Sequence, residues 1–114
     1  MTVTIWHNPR CSKSRQTLAL VEEHTSDIDV RHYLQDTPGA DEIKNALRLL
    51  DLPAAKLLRR GEQIFKDLGL KDVTDEGVLI AAMATHPILI ERPVVFANGT
   101  ARLGRPPESV LDIL

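Results

Sequence analysis

The sequence predicts an α/β protein built on a mixed β-sheet. Two short β-patterns flank a helical one near the N-terminus, the middle of the chain is helical, and the last third carries a hairpin signal. A strand–helix–strand opening implies a parallel pair joined by a right-handed crossover. A hairpin is antiparallel. A sheet that contains both is mixed.

Each element has its own warrant. Val3 and Ile5, with Thr2, Thr4 and Trp6 around them, read as a short strand with Trp6 in the core, and His7-Asn8-Pro9 breaks it. A helix is expected over residues 12–23, with Leu18 and Val21 facing inward. Ile28, Val30, His32 and Leu34 alternate with polar residues and predict a second strand. Thr37-Pro38-Gly39 is a turn. Asp41 and Glu42 then stand where a helix dipole favours acids, ahead of Ile43, Ala46, Leu47 and Leu50 at helical spacing. Pro53 opens a short helix through Leu57 and Leu58. After Gly61, Ile64 and Leu68 suggest a further turn or two before Gly69. Thr74 or Asp75 can cap a helix that carries Val78, Leu79, Ala82 and Met83 and ends at Pro87. Strands over 94–97 and 100–103 flank Asn98-Gly99, a two-residue hairpin signal. Pro106-Pro107 opens a closing helix whose apolar side is Val110, Leu111 and Leu114.

The order βαβ, helices, ββα is the thioredoxin-like arrangement: a mixed four-stranded sheet with a helical insertion over about residues 40–86. The expectation is a single domain over residues 1–114. Arg92-Pro93, just before the third strand, is an X-Pro bond open to the cis form.

Composition narrows the function classes. The chain has 114 residues, 43% of them hydrophobic, enough for one packed core. Its 14 Lys+Arg against 16 Asp+Glu exclude a globally basic nucleic-acid binder and an acidic disordered tail. One cysteine excludes an intramolecular disulfide and a Cys-only zinc site within one chain. His24, His32 and His86 lack ligand-like spacing, so no metal is expected. The longest apolar run, residues 78–84, is far short of a membrane span, and the N-terminus has no signal-peptide pattern. The expected location is the reducing cytoplasm, with neither membrane nor nucleic acid as partner.

Cys11 is the residue that carries chemistry. It sits between the first strand and the first helix, where free N–H groups and partial positive charge stabilise a thiolate. Residues 1–21 contain Arg10, Lys13 and Arg15 and no acid, so the local field is positive although the net charge is −2. The same features suit an anion. The alternative is a small buried hydrophobe, as many lone cysteines are; position and basic neighbours favour the reactive thiol. Ser14 completes Cys-x-x-Ser, which cannot resolve its own mixed disulfide, so an external thiol must complete any redox cycle. Ser12 and Ser14 serve equally well as helix caps. A phosphatase-type loop is excluded, because the position six after the cysteine is Thr17 rather than arginine. No Gly-rich P-loop is present. His7 either polarises Cys11 or closes a strand end by bonding to backbone. Arg59, Arg92 and Arg105 each stand at an element boundary. Arginine suits tetrahedral oxyanions, and surface charge is the competing reading for each.

His7-Asn8-Pro9-Arg10-Cys11-Ser12-Lys13-Ser14-Arg15, Leu57-Leu58-Arg59-Arg60, His86-Pro87-Ile88-Leu89-Ile90-Glu91-Arg92-Pro93 and Arg102-Leu103-Gly104-Arg105-Pro106-Pro107-Glu108 resemble, in order and essentially end to end, the ArsC family of glutaredoxin-dependent arsenate reductases and relatives. The Asn-Pro-Arg-Cys-Ser-Lys-Ser-Arg run resembles one branch of it. The resemblance implies a thioredoxin-like fold with a helical insertion. It implies Cys11 as the nucleophile toward arsenate, Arg59, Arg92 and Arg105 as oxyanion ligands, and His7, with Ser14, as support for the thiolate. Arg60 is a weaker match than Arg59. It also implies glutathione as co-substrate, glutaredoxin as partner, arsenite as product and no bound cofactor. Two other readings stand beside it: a monothiol glutaredoxin-like oxidoreductase acting on glutathione mixed disulfides and, from within the same family, an Spx-type regulator that binds RNA polymerase. The Spx type usually carries Cys-x-x-Cys, which Ser14 removes here.

Overall fold

The computed structural model describes residues 2–114. The chain divides into two compact units. Among the described residues, one is formed by residues 2–36 with 92–114, the other by residues 37–91.

The first unit holds the sheet. Strand β1 (Val3–Trp6) leads through a loop to helix α1 (Ser12–His24) and then to β2 (Ile28–Arg31). β1 and β2 are parallel, with Val3 opposite Ile28 and Trp6 opposite Arg31. The chain returns at β3 (Val94–Ala97), antiparallel to β1, and turns into β4 (Thr100–Leu103). The strand order is β2-β1-β3-β4, and the fold is thioredoxin-like. Asn98 (φ 54°) and Gly99 (φ 74°) both adopt positive φ in the hairpin. That pair matches the twist of the flanking strands, which is why Asn-Gly marks such turns. A 3-10 helix, Pro107–Ile113, closes the unit. Its core joins Val3, Ile5, Val21, Val95, Ala97, Val110 and Ile113, with Leu18, Ile28, Val30 and Leu114 packed against them. Trp6 is buried as expected and its ring meets Phe96 at 5.0 Å.

The second unit lies between β2 and β3 in the chain. It contains α2 (Ala40–Leu50), α3 (Ala54–Leu57), α4 (Gln63–Asp67) and α5 (Glu76–Thr85), then a 3-10 turn, Pro87–Leu89. α2 buries Ile43, Ala46, Leu47 and Leu50, the face its sequence predicts. Its N-terminus is closed by Glu42, whose carboxylate accepts the Gly39 N–H at 3.2 Å. Asp75 caps α5 by accepting the Val78 N–H at 3.2 Å. Glu76 accepts the Ala54 N–H at 3.0 Å and ties α3 to α5. No helix among the described residues is long and apolar enough to cross a membrane.

Several elements depart from the sequence expectation. β2 stops at Arg31, because the N–H groups of Gln35 and Asp36 both donate to His32 O (3.0 and 2.9 Å) and close a turn where alternation alone would continue the strand. Leu58 leaves α3 and pairs with Ile90 in an isolated β-bridge. α4 buries Phe65, while Leu68 is exposed. α5 buries Leu79, Ile80 and Met83 and leaves Val78 in solvent. The closing helix is 3-10, with three residues per turn, so Pro107, Val110 and Ile113 line up inward and Leu111 turns out.

Candidate active site

The site is built where three strand ends meet. Trp6 at the end of β1 lies opposite Val94 at the start of β3, and Val94 lies opposite Leu103 at the end of β4. The residues that leave β1, enter β3 and leave β4 therefore emerge at one edge of the sheet. They are the Cys11 loop, Arg92 and Arg105.

Local bonding shapes the loop. The His7 N–H still donates to Arg31 O at 2.8 Å. Asn8 then organises the turn: its side-chain oxygen accepts the Arg10 N–H at 3.0 Å, and its carbonyl accepts the Cys11 N–H at 3.0 Å. This is an Asx turn, which asparagine forms readily. Arg15 Nη1 donates to Pro9 O at 2.8 Å and ties the loop to the first helical turn. Cys11 keeps extended backbone (φ −95°, ψ 122°) as the N-cap of α1, and its carbonyl accepts the Arg15 N–H at 3.0 Å.

Cys11 is free and half-buried. Burial pushes its thiol pKa up and is the largest single influence. The Ser14 N–H, the Arg92 guanidinium and the Lys13 N–H together outweigh it, and the thiol titrates below its ordinary value. No acid stands in the first turn of α1 to offset the positive helix end. Arg105 Nη1 donates toward Cys11 Sγ at 3.8 Å and to Arg92 O at 3.1 Å. Both arginines precede a cis proline, Pro93 and Pro106. The first is the bond singled out in the sequence; the second was not anticipated there.

His7 and Ser14 support this loop from below. His7 Nδ1 lies 2.7 Å from Ser14 Oγ, which also accepts the Asn8 N–H at 3.0 Å, and all three residues are buried. Burial, then the charges of His32 and Arg15, lower the His7 pKa against a smaller opposing pull from Glu22. His7 connects to the thiol through Ser14, whose N–H is among the groups that lower the Cys11 pKa.

The first unit thus brings together Cys11, Arg92, Arg105, Ser14 and His7. Arg59 belongs to the second unit. There its N–H donates to Leu89 O at 2.7 Å, its Nη1 pairs with Glu91 at 2.6 Å, and its Nε faces Glu62 at 3.5 Å. Arg60 is exposed, with its guanidinium 5.6 Å from the Phe65 ring centre. Sequence reasoning missed Asn8 as the organiser of the loop, although asparagine two residues before Arg10 is an Asx-turn signal. It also missed Glu91 as the partner of Arg59, which no local pattern announces.

The ArsC family model matches residues 6–113. The chain is 46% identical over 114 residues to the uncharacterized protein YfgD of Escherichia coli strain K12, covering 98% of this chain and 96% of the relative. It is 42% identical over 114 residues to the arsenate reductase of Neisseria meningitidis serogroup B, covering 98% and 97%. Among solved structures, the arsenate reductase from Vibrio cholerae superposes with a TM-score of 0.95 at 47% identity, covering 100% of this chain and 98% of that one. On the family match and these relatives, the chain belongs to the ArsC family.

Proposed function

We propose that this protein is an arsenate reductase that draws its electrons from glutathione and glutaredoxin in the reducing cytoplasm. One observation carries the reading: a lone thiol with lowered pKa stands at a helix N-terminus with the Arg105 guanidinium 3.8 Å from its sulfur. A thiolate beside an arginine is equipped to attack an oxyanion and hold it while it reacts. Relatives at 38–42% identity bear the name arsenate reductase, which supports arsenate as that oxyanion.

The Cys11 thiolate attacks As(V), an S–As bond forms, and one arsenate oxygen leaves as water. Arg92 and Arg105 bind the remaining oxygens and neutralise charge as the adduct forms. Each charge-assisted hydrogen bond of this kind is worth about 1.5–3 kcal/mol. Arg59 is assigned to the same oxyanion by family resemblance alone. The glutathione sulfur bonds to the arsenic as a second oxygen leaves as water, and the glutaredoxin thiolate then attacks that sulfur and breaks its bond to arsenic. The two external thiols end as one disulfide, and that electron pair reduces As(V) to As(III). Water hydrolyses the remaining S–As(III) bond, arsenite leaves and Cys11 returns as thiolate. The single cysteine requires this external route.

The test is arsenate-dependent NADPH oxidation, coupled through glutathione reductase with glutathione and glutaredoxin supplied. Turnover that needs every component and vanishes in Cys11→Ser is the expected result. No turnover by folded, reduced protein, or undiminished turnover in Cys11→Ser, defeats the reading.

A further inference from the structure

Three segments deliver the reactive groups, and each contributes one residue to a single tight contact a few residues away. Thr17 lies on α1, which begins at Cys11. Pro93 follows Arg92. Gly104 precedes Arg105. All three contact residues are buried. Gly104 is wedged between the other two: a Cβ added there would collide with Thr17 Oγ1, with Thr17 Cγ2 at 2.9 Å and with Pro93 Cγ at 2.7 Å. Hydrogen bonds complete the contact. The Gly104 N–H donates to Pro93 O at 3.0 Å. The Thr17 hydroxyl lies 2.8 Å from Lys13 O and 3.3 Å from Gly104 O, so its single proton is shared between helix and loop.

We propose that Thr17, Pro93 and Gly104 form a positioning clamp that sets Arg92 and Arg105 against Cys11, and that Gly104 is glycine because the clamp closes on its Cα. None of the three need touch the substrate. A shift of roughly 1 Å at a reacting centre already costs about a hundredfold in rate. An added methyl at Gly104 forces a displacement on that scale, because it meets Thr17 on the helix that begins at Cys11 and Pro93 beside Arg92, while Gly104 itself precedes Arg105. The clamp also gives Thr17 a task, six residues after the cysteine, where an arginine-based phosphate loop has been excluded.

The proposal rests on Cys11 as a reactive thiolate, not on arsenate as its substrate, so iodoacetamide is the probe and the pH profile of Cys11 alkylation is the readout. In Gly104→Ala the arginines move away from the sulfur, the alkylation midpoint rises, and the rate at pH 7 falls by about three- to tenfold, since each pKa unit is a factor of roughly ten in thiolate. Thr17→Ala added to Gly104→Ala removes two of the three collisions and is expected to recover at least half of the lost rate. A clamp of no consequence would leave folded Gly104→Ala with the wild-type midpoint, or would leave the double variant no faster than the single one; either result overturns the proposal. Should Gly104→Ala fail to fold, Thr17→Val keeps the volume and removes only the hydroxyl that spans the two carbonyls. A raised midpoint there supports the clamp, and a wild-type midpoint overturns it. Absence of arsenate turnover in the wild-type protein, with these alkylation shifts intact, would instead count against arsenate as substrate.

Discussion

Ser14 Oγ stands 2.7 Å from His7 Nδ1, with both side chains buried beneath the Cys11 loop. The same oxygen accepts the Asn8 N–H at 3.0 Å. Its own proton is therefore available to a neutral imidazole, which then carries its hydrogen on Nε2. Ser14→Ala strips both groups of their partner at once. A buried donor left unsatisfied costs about 1–3 kcal/mol. Urea unfolding should show a loss of that size, with an unchanged m-value. A loss below a few tenths of a kcal/mol would show that solvent reaches Asn8 and His7 freely.

The two lowered pKa values act on opposite limbs of the stability curve. His7 titrates below its ordinary 6.5 in the folded chain. Between that lowered value and 6.5 the unfolded chain binds a proton that the folded chain refuses, so stability falls as pH drops through this window. The Cys11 thiol is also lowered, from an ordinary 9.0. Between its folded pKa and 9.0 the unfolded chain holds a proton that the folded chain has lost, so stability rises with pH and levels off above 9.0. Denaturant midpoints from pH 5 to 9.5 should therefore flatten at the acid end in His7→Gln and at the alkaline end in Cys11→Ser. Curves parallel to wild type would refute the assignment.

What the sequence reveals and what it hides follow from the range of the interactions. α2 is legible because Ile43, Ala46, Leu47 and Leu50 repeat with the helical period, and the hairpin because Asn-Gly has few other uses. β2 is over-read because the alternation through His32 and Leu34 continues after the backbone has turned. In the closing helix Val110 and Leu114 pack as expected and only Leu111 is misread, because the period is three, a choice that packing against the sheet makes rather than local propensity. The same division runs through the site. Cys11 is readable from its place between strand and helix. Arg92 and Arg105 are readable only as boundary residues, since the strand register that brings them to the thiol is a long-range fact. Thr17 and Gly104, 87 residues apart, are silent until the chain is folded.

The hairpin offers a control distant from the chemistry. Gly99 has φ +74° and nothing within 4 Å of an added Cβ, so any cost of Gly99→Ala is backbone conformation alone. A non-glycine residue in the left-handed region costs about 1–2 kcal/mol. Thermal unfolding should report that loss while the alkylation profile of Cys11 stays at wild type. A changed profile would mean that the hairpin tip communicates with the site.

Arg92 and Arg105 can be separated by what each does to the thiol and to the oxyanion. Arg92 acts on Cys11 through a hydrogen bond and through its charge. Arg105 approaches at 3.8 Å with the same nitrogen that donates to Arg92 O. Arg92→Ala should therefore raise the alkylation midpoint more than Arg105→Ala does. Both should lose about 10- to 100-fold in kcat/KM for arsenate, the equivalent of one charge-assisted contact. Arg92→Lys separates the two duties. It keeps the charge near the sulfur and loses the planar fork that grips two oxygens, so the midpoint should return toward wild type while the KM for arsenate stays high. Recovery of both quantities by lysine would reduce Arg92 to a point charge. Recovery of neither would mean that its backbone anchor before β3, and not its charge, is what the site requires.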